Sequence, residues 1–390
     1  MSRFRMLDEL LNRLTEDKLP GCACVVSRHG KVLYEGYAGS ANLEQGKPIT
    51  PDTVYRLFSM TKVVVCTAAL MLYERGHFLL DDPLAAYIPE YEGPSVVRKL
   101  PDGGIDYEPA GNPIRIKHLF TMTSGMPYHF GDSEPERKIR RVLDELRETH
   151  GNYDLQTEVR AMAKAQVPLA FEPGTRWLYG YSHDVLGALI EVISGKTLGR
   201  FLQEEIFDPL GMKDTGYRFK GDIVERMASV YQKSEDGKLV EVPGPIDILH
   251  HPEAKYEGGG VGLYSTARDY AVFTQMLACG GVYNGERIIG RKTIELMRRN
   301  HLNEQQMNDF ANGHHAGYGY GLGVRTLVDP AAAGANSSIG EFGWSGAAGT
   351  WTSIDPAEGV SIVFMQQMYP SIYDEYVHHR VRNAAYACID

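Results

Sequence analysis

The sequence predicts an α/β protein of the α+β kind, in which both ends of the chain contribute strands to one sheet. Strand-like runs occur near both termini, and the segment between them is helical in pattern. With 390 residues, 43% of them hydrophobic, the chain can bury a large core and is long enough for two domains. We therefore expect an α/β domain built from residues 1–80 and 255–390, and a mostly helical domain over 81–254. A small-molecule site is expected at their junction.

The N-terminal segment predicts a helix followed by a β-hairpin. Hydrophobic residues recur there at helical spacing, with charged residues between them: Phe4, Leu7, Leu10, Leu11 and Leu14. Two strand-like runs at 22–27 and 32–37 follow. They are separated by His29 and Gly30, which is typical of a hairpin turn.

The next element is an apolar run without a charged side chain from Val63 to Leu72. It predicts a buried helix that begins near Ser59 and ends before Gly76. The helices predicted after it are 116–122, 134–149, 155–165, 185–194, 199–206, 267–278 and 372–387. The strands predicted in the C-terminal part are 319–326, 349–354 and 360–366.

Composition and charge argue against several functions. The net charge is −10 and no basic cluster offsets it, so no nucleic-acid partner is expected. No stretch reaches the ~18 apolar residues that a membrane span requires, and the N-terminus lacks the apolar centre and cleavage site of a signal peptide. The five cysteines are scattered among apolar residues, which indicates reduced core thiols. These features predict a cytoplasmic protein and give no indication of its oligomeric state.

The stretch from Phe58 to Lys62 carries the strongest chemical signal. Ser59 and Lys62 lie three positions apart on one face of the predicted helix, so hydroxyl and amine can come within hydrogen-bond reach. The first turn also presents free backbone N–H groups, which suit a nucleophile that will carry an oxyanion. Apolar neighbours such as Val65 and Cys66 are expected to lower the pKa of Lys62, so that it could act as a base. The alternative is that Ser59 only caps the helix and Lys62 reaches solvent.

Beyond these residues, a series of blocks resembles the serine β-lactamase and penicillin-binding-protein superfamily, and within it the class C β-lactamase-like branch that includes family VIII carboxylesterases. The blocks run in family order across nearly the whole chain: SMTK at 59–62, LDDP at 80–83, LFTMTSGMP at 119–127, PGTRWLY at 173–179, PLGMKDT at 209–215, GGGVGLYST at 258–266 and YGYGLG at 318–323. The resemblance implies a β-lactamase/transpeptidase-like fold, with an antiparallel sheet flanked by helices. It also implies acyl-enzyme chemistry that requires no cofactor.

In that family a tyrosine after the Pro-Gly-Thr stretch assists the lysine. Carried over to this chain it is Tyr179, whose phenol would take the serine's proton or return one to the leaving group. Tyr181 is the alternative, because β-lactamases show Tyr-x-Asn where this chain has Tyr179, Gly180 and Tyr181. The asparagine of the family is therefore missing.

The third family motif, Lys-Thr-Gly in β-lactamases, aligns with Trp344, Ser345 and Gly346. The resemblance implies a strand edge facing the nucleophile, where the N–H of Ala347 completes an oxyanion hole with that of Ser59. Trp344 puts an aromatic wall in place of the cation that would meet a β-lactam carboxylate, which favours neutral, apolar esters. Alternatively, Trp344 only packs in the core.

Other patterns compete with this interpretation. The run from Gly343 to Ala347 is close to the Gly-x-Ser-x-Gly elbow of α/β-hydrolases, in which Ser345 would be the nucleophile. A helix must follow that elbow, whereas 349–354 is strand-like.

Three adjacent histidine pairs suggest a metal: 250–251, 314–315 and 378–379. Neighbouring side chains diverge and no His-Glu-x-x-His is present, so we expect no metal. The glycines at 258–260 lack the lysine of a phosphate-binding loop and suggest a close backbone approach beside the cleft.

The sequence thus predicts a serine hydrolase that cleaves small carboxylic esters or related amides through an acyl-enzyme on Ser59. The alternatives left open are a class C-like β-lactamase, a D-amino-acid peptidase and a transacylase with an alcohol acceptor. A hypothesis of another class is a non-catalytic scaffold or peptide-binding protein. Such a protein would be free to lose Ser59, Lys62 or Tyr179, yet all three are present.

Overall fold

The computed structural model describes residues 3–311 and 315–389. The strands, numbered in chain order, are β1 Gly21–Arg28, β2 Lys31–Asn42, β3 Lys47–Pro48, β4 Val54–Arg56, β5 Ser95–Lys99, β6 Ile105–Pro109, β7 Val230–Lys233, β8 Leu239–Val242, β9 Tyr264–Thr266, β10 Val282–Tyr283, β11 Glu286–Arg287, β12 Tyr318–Tyr320, β13 Arg325–Leu327, β14 Phe342–Gly343, β15 Trp351–Asp355 and β16 Val360–Met365. The α-helices are α1 Arg5–Asp17, α2 Thr61–Glu74, α3 Ile116–Phe120, α4 Glu134–His150, α5 Leu155–Lys164, α6 Ser182–Ser194, α7 Leu198–Leu202, α8 Asp208–Leu210, α9 Ile223–Arg226, α10 Ala267–Ala278, α11 Arg291–Met297, α12 Glu304–Ala311, α13 Pro330–Ala333 and α14 Asp374–Ile389.

An eight-stranded sheet organises these elements. Its strand order is β12-β13-β14-β15-β16-β1-β2-β3, and every neighbouring pair is antiparallel. Strands from both ends of the chain therefore meet in one sheet, because β16 pairs directly with β1. This confirms the predicted antiparallel sheet with flanking helices, whereas the exact division of the chain into two domains stays a prediction.

The central strand β1 shows why helices cover the sheet on both sides. Successive side chains of a strand point to opposite faces. Cys22 and Cys24 pack with α1 and α14 on one face, and Ala23 and Val25 belong to the larger core formed with α2, α6 and α10 on the other. Both faces are apolar, so each needs a helical layer to remove it from water.

The helix of the Ser59 region is buried all round. A 3-10 turn, Phe58–Met60, leads directly into α2, so the helical segment begins and ends where the sequence predicted. Every residue from Thr61 to Leu72 is buried, and α2 packs against α6. A helix that is apolar on all sides is expected in the centre of a large core. Gly76, with φ +79°, follows the helix end in the left-handed conformation that glycine adopts readily.

Several predicted elements need correction. The strand expected at 319–326 is two short strands, β12 and β13, because Gly321 and Val324 pair across a turn in which Gly323 has φ +88°. The middle segment contains two β-hairpins, β5–β6 and β7–β8, in addition to its helices. The short strands were missed because two to five residues carry too few alternations for a strand period of two to be recognised. Helices α11 and α12 were not predicted either.

No helix in the described parts of the chain is both long and apolar enough to cross a membrane. None of the five cysteines is paired in a disulfide; four are buried, and Cys279 is partly exposed.

Candidate active site

Ser59 lies at the point where the 3-10 turn runs into α2, and its side chain is partly exposed. Phe58, just before it, has φ +47°, an uncommon value for a residue with a side chain. The ring of Phe58 stacks on Tyr369 at a centroid distance of 5.4 Å, which helps to hold this conformation. The chain therefore turns sharply before Ser59 and presents the hydroxyl at the N-terminal end of a buried helix.

Lys62 is completely buried and its ammonium faces Ser59. The Nζ atom donates to Ser59 Oγ at 3.2 Å and to the carbonyl oxygen of Gly260 at 2.7 Å. The structure thus brings together the serine and lysine that the spacing had predicted to meet. Lys62 does not reach solvent, which removes the alternative of a helix cap followed by a surface lysine.

The predicted lowering of the Lys62 pKa is wrong. Burial is the largest single influence on the pKa of Lys62, and it does lower that pKa. Three acidic side chains around the ammonium act in the opposite direction and together outweigh burial: Tyr128, Tyr179 and Asp184. The pKa of Lys62 is therefore raised, and the lysine is an ammonium at neutral pH.

Of the two candidate tyrosines, Tyr179 is the one beside Lys62. The Nζ atom lies 4.6 Å from the centre of the Tyr179 ring, and the phenol oxygen accepts a hydrogen bond from Trp344 Nε1 at 3.2 Å. Tyr181 instead directs its hydroxyl to His129 Nδ1 at 2.7 Å, and its ring is buried. The two tyrosines therefore face different partners, although one residue separates them.

The segment from Trp344 to Ala347 lies next to the nucleophile turn. A Cβ added at Gly346 would come within 2.3 Å of the carbonyl oxygen of Leu57, so only glycine fits this close approach. Ala347 is exposed, and within the described chain its N–H has no hydrogen-bond acceptor. A free N–H at this place could serve a ligand oxygen.

Trp344 is buried and its ring stacks on Tyr179 at a centroid distance of 5.6 Å. It is both a wall of the core and a partner of the tyrosine. Ser345 is partly exposed and pairs with Trp351 across a hairpin between β14 and β15. A strand rather than a helix follows Ser345, so the geometry of an α/β-hydrolase elbow is not present here.

Two residues at the site were missed by sequence reasoning. The ring centre of Tyr128 lies 5.5 Å from Lys62 Nζ, and Asp184 is buried on the first turn of α6. Burial raises the pKa of both residues, and the charge of Lys62 opposes this rise. For Asp184 a signal existed, since a carboxylate in a buried apolar helix needs a partner. Tyr128 carried no such signal in a chain with 23 tyrosines.

The close backbone approach predicted for the three glycines is confirmed. A Cβ at Gly259 would lie 1.9 Å from the carbonyl oxygen of His183, and Gly260 presents its carbonyl to Lys62. The loop therefore needs glycine to bring its backbone against α6 and the lysine.

In the two histidine pairs that the structure describes in full, one ring is buried and the other is exposed. His250 is buried against the carbonyl of Tyr217, whereas His251 is exposed. His378 is buried and stacks on Trp351, whereas His379 is exposed. His314 lies outside the described residues. Within residues 3–311 and 315–389 no group of three His, Cys, Asp or Glu side chains could hold a metal ion.

Comparisons with known proteins extend over almost the whole chain. Residues 7–386 match the family model described as Beta-lactamase. Protein Rv1367c of Mycobacterium tuberculosis is 33% identical over 361 residues, covering 91% of this chain and 87% of that protein. Esterase EstB of Burkholderia gladioli is 32% identical over 370 residues, which cover 90% of this chain and 87% of that protein. Among solved structures, EstCE1, a hydrolase with promiscuous acyltransferase activity, is similar with a TM-score of 0.78 and 25% identity over 98% of this chain and 97% of that one.

Proposed function

Because this chain belongs to the Beta-lactamase family of serine hydrolases, we propose that it hydrolyses carboxylic esters through an acyl-enzyme on Ser59. The observation that carries this proposal is the 3.2 Å hydrogen bond between Lys62 Nζ and a partly exposed Ser59 hydroxyl. A partly exposed hydroxyl positioned by a buried cation at the start of a helix suits nucleophilic catalysis. The relative EstB is an esterase, which supports esters as the substrate class.

In the proposed acylation step, Ser59 Oγ forms a bond to the ester carbonyl carbon while its proton passes to the phenolate oxygen of Tyr179. The carbonyl oxygen becomes an oxyanion between the N–H groups of Ser59 and Ala347. When this intermediate collapses, the bond to the alcohol oxygen breaks and Tyr179 returns the proton to the leaving alcohol. Water then attacks the acyl carbon, and its proton passes through Tyr179 to Ser59 Oγ as the acid leaves.

The role of Lys62 in this scheme is electrostatic. A protonated lysine has no free electron pair with which to accept the serine's proton, so Tyr179 takes that part. The ammonium, 4.6 Å from the centre of the Tyr179 ring, stabilises negative charge on the phenol oxygen. The indole N–H of Trp344 does the same by direct hydrogen bonding.

Trp344 also supports a preference for neutral substrates. Where β-lactamases have the lysine of Lys-Thr-Gly, this chain presents an aromatic ring packed between Tyr179 and Tyr320. A buried aromatic wall gives no charge-assisted contact to a carboxylate, and it accommodates an apolar acyl or alcohol group well.

The proposal is tested by comparing an ester with a β-lactam on one preparation. Losing a charge-assisted contact costs ~1.5–3 kcal/mol, or roughly 10- to 150-fold in discrimination. We therefore expect kcat/KM for p-nitrophenyl butyrate to be at least about tenfold above that for nitrocefin. A D-amino-acid amide, and an ester assayed with added alcohol acceptor, complete the panel. Faster turnover of nitrocefin than of the ester would contradict the esterase proposal and indicate a β-lactamase. Faster turnover of the amide than of the ester would indicate a peptidase.

A second expected result concerns the contact between Trp344 and Tyr179. Trp344→Phe removes the indole N–H but keeps an aromatic ring, so kcat should fall by roughly 2- to 10-fold, the value of one hydrogen bond. The matched control is Trp177→Phe. Trp177 also stacks on Tyr179, but its buried N–H has no partner in the described chain. An equal fall in both variants would mean that ring packing, rather than the hydrogen bond, matters to Tyr179.

The cytoplasmic location and the absence of a cofactor, both expected from the sequence, stay predictions.

A further inference from the structure

Asp184 is a buried carboxylate that the proposed mechanism does not use. It lies on the first turn of α6 with 1% of its surface exposed. Its Oδ1 atom accepts the N–H of Gly260 at 2.9 Å, and its Oδ2 atom has no hydrogen-bond partner in the described chain. A buried carboxylate that is only half satisfied is costly unless a positive charge compensates it.

The compensating charge is Lys62, and Gly260 connects the two. The carbonyl of Gly260 accepts from Lys62 Nζ at 2.7 Å, while its N–H donates to Asp184. A Cβ added at Gly260 would lie 2.8 Å from Asp184 Oδ2, 2.7 Å from the Tyr128 hydroxyl and 3.2 Å from Lys62 Nζ. The carboxylate, the phenol and the ammonium therefore surround one backbone position, with room for no side chain.

A second carboxylate lies behind the first. The hydroxyl of Tyr256 is 3.0 Å from Glu158 Oε1 and 3.3 Å from Asp184 Oδ1, so it connects the two acids. Burial, followed by repulsion from Asp184, raises the pKa of Glu158 to about 7. Glu158 is thus neutral below that pH, and the negative charge of the network lies on Asp184, the carboxylate next to Lys62.

We propose that Asp184 is a positioning residue that keeps the shared proton of the site on Lys62 rather than on the oxygen of Tyr179. The pair Lys62 and Tyr179 holds one proton in its active form. It lies either on Nζ, which leaves the phenol oxygen as the base, or on the phenol, which leaves a neutral amine. A fixed negative charge behind Nζ stabilises the first arrangement. The inference rests on the proposed function, because it assumes that Tyr179 accepts the proton of Ser59.

The titratable groups around Lys62 determine in which direction the pKa of the site changes when Asp184 loses its charge. Helix α2 contributes Lys62 and Cys66, and α6 contributes His183 and Asp184. The loops contribute Tyr128 and Tyr179, and behind all of these lie Glu158, Tyr217 and Tyr256. Burial and the charge of Lys62 lower the pKa of His183 to about 3, so it adds no charge near neutral pH. Below the active pH range the pair carries a second proton, so that both the amine and the phenol are protonated. Removing the carboxylate of Asp184 destabilises this more positive form, so the pKa at which the second proton leaves must fall.

The experiment is the pH dependence of kcat/KM for p-nitrophenyl butyrate in Asp184→Asn. The midpoint of the acid limb should move to lower pH by about one unit or more, as expected for loss of a neighbouring opposite charge. Asp184→Glu keeps the charge and should retain a midpoint near that of the wild type, even if its maximal rate is lower. Glu191→Gln is the matched control, because it removes a carboxylate from the same helix two turns further on.

The outcomes separate the two proposals. A lower maximal rate in Asp184→Asn with an unmoved midpoint would overturn the positioning role and leave only a structural one. Fluorophosphonate labelling that persists in Ser59→Ala would overturn the proposed nucleophile instead.

If Asp184→Asn does not fold, the charge of Lys62 is measured by NMR on wild-type protein with 15N-labelled lysine. The Lys62 signal is assigned by its loss in Lys62→Met. A charged Lys62 at pH 9 supports the proposal, and a neutral one refutes it.

Discussion

Ser59→Ala is expected to abolish ester hydrolysis, with kcat lower by on the order of 10³-fold or more, because the covalent route disappears with the hydroxyl. The fold should survive. Ser59 is partly exposed, and its removal costs one hydrogen bond from Lys62, about 1 kcal/mol. The measurement is kcat on p-nitrophenyl butyrate together with the thermal midpoint and the intact mass after treatment with a fluorophosphonate. Wild-type protein should gain one adduct, and the variant none.

Ser345→Ala is the control for this variant. Ser345 is the other serine that the sequence offered as a nucleophile, and it lies in a hairpin rather than on an elbow. Its removal should cost less than about tenfold, the value of one neutral hydrogen bond. An inactive Ser345→Ala protein beside an active Ser59→Ala protein would show that the nucleophile has been assigned to the wrong element.

Tyr179→Phe is expected to lower kcat by about 10²- to 10⁴-fold, the range for loss of a general acid and base, with a much smaller change in KM. The reason is that the phenol oxygen acts on a proton that moves only in the transition state. The ring remains to stack on Trp344, so the thermal midpoint should change little. Steady-state kinetics at several pH values separate this effect from a change in substrate binding.

Tyr181→Phe is the matched comparison, since it removes the same atom two residues further along the chain. Its hydroxyl contacts His129, and its ring packs edge-on against Tyr128 at a centroid distance of 4.9 Å. We expect a fall of less than about tenfold, together with a stability loss of about 1 kcal/mol for the hydrogen bond. Equal losses of kcat in the two phenylalanine variants would leave the assignment of Tyr179 without support.

The error about Lys62 shows where reasoning from the sequence ends. Its apolar neighbours along α2 are visible in the sequence, so the effect of burial could be predicted with the correct sign. The acidic groups that outweigh burial come from positions 128, 179 and 184, far along the chain. Their sum depends on distances that tertiary packing creates, including that of α6 against α2. The local pattern therefore predicted the effect of burial on the pKa of Lys62 but missed the larger opposite effect of the acidic neighbours.

Trp344 illustrates the same limit in another way. The alignment with the Lys-Thr-Gly motif predicted an aromatic wall at the site, and the alternative was a residue of the core. In the structure Trp344 is buried and also donates to Tyr179, so it packs in the core and lies beside that candidate residue. A single sequence distinguishes such roles poorly, because burial and hydrogen bonding both depend on partners distant in the chain.

The sequence by itself determined the features that arise from short-range periodicity and spacing. These are the helix that carries Ser59 and Lys62 on one face, the β1–β2 hairpin, and the sheet built from both termini. Helix period, turn residues and strand alternation are local, so neighbouring residues suffice to encode them. Only the tertiary structure placed acidic side chains around Lys62, brought Tyr179 rather than Tyr181 beside it, and set Asp184 behind the site. Each of these depends on distances of a few ångströms between segments far apart in the chain, and electrostatic and hydrogen-bond energies change steeply over such distances.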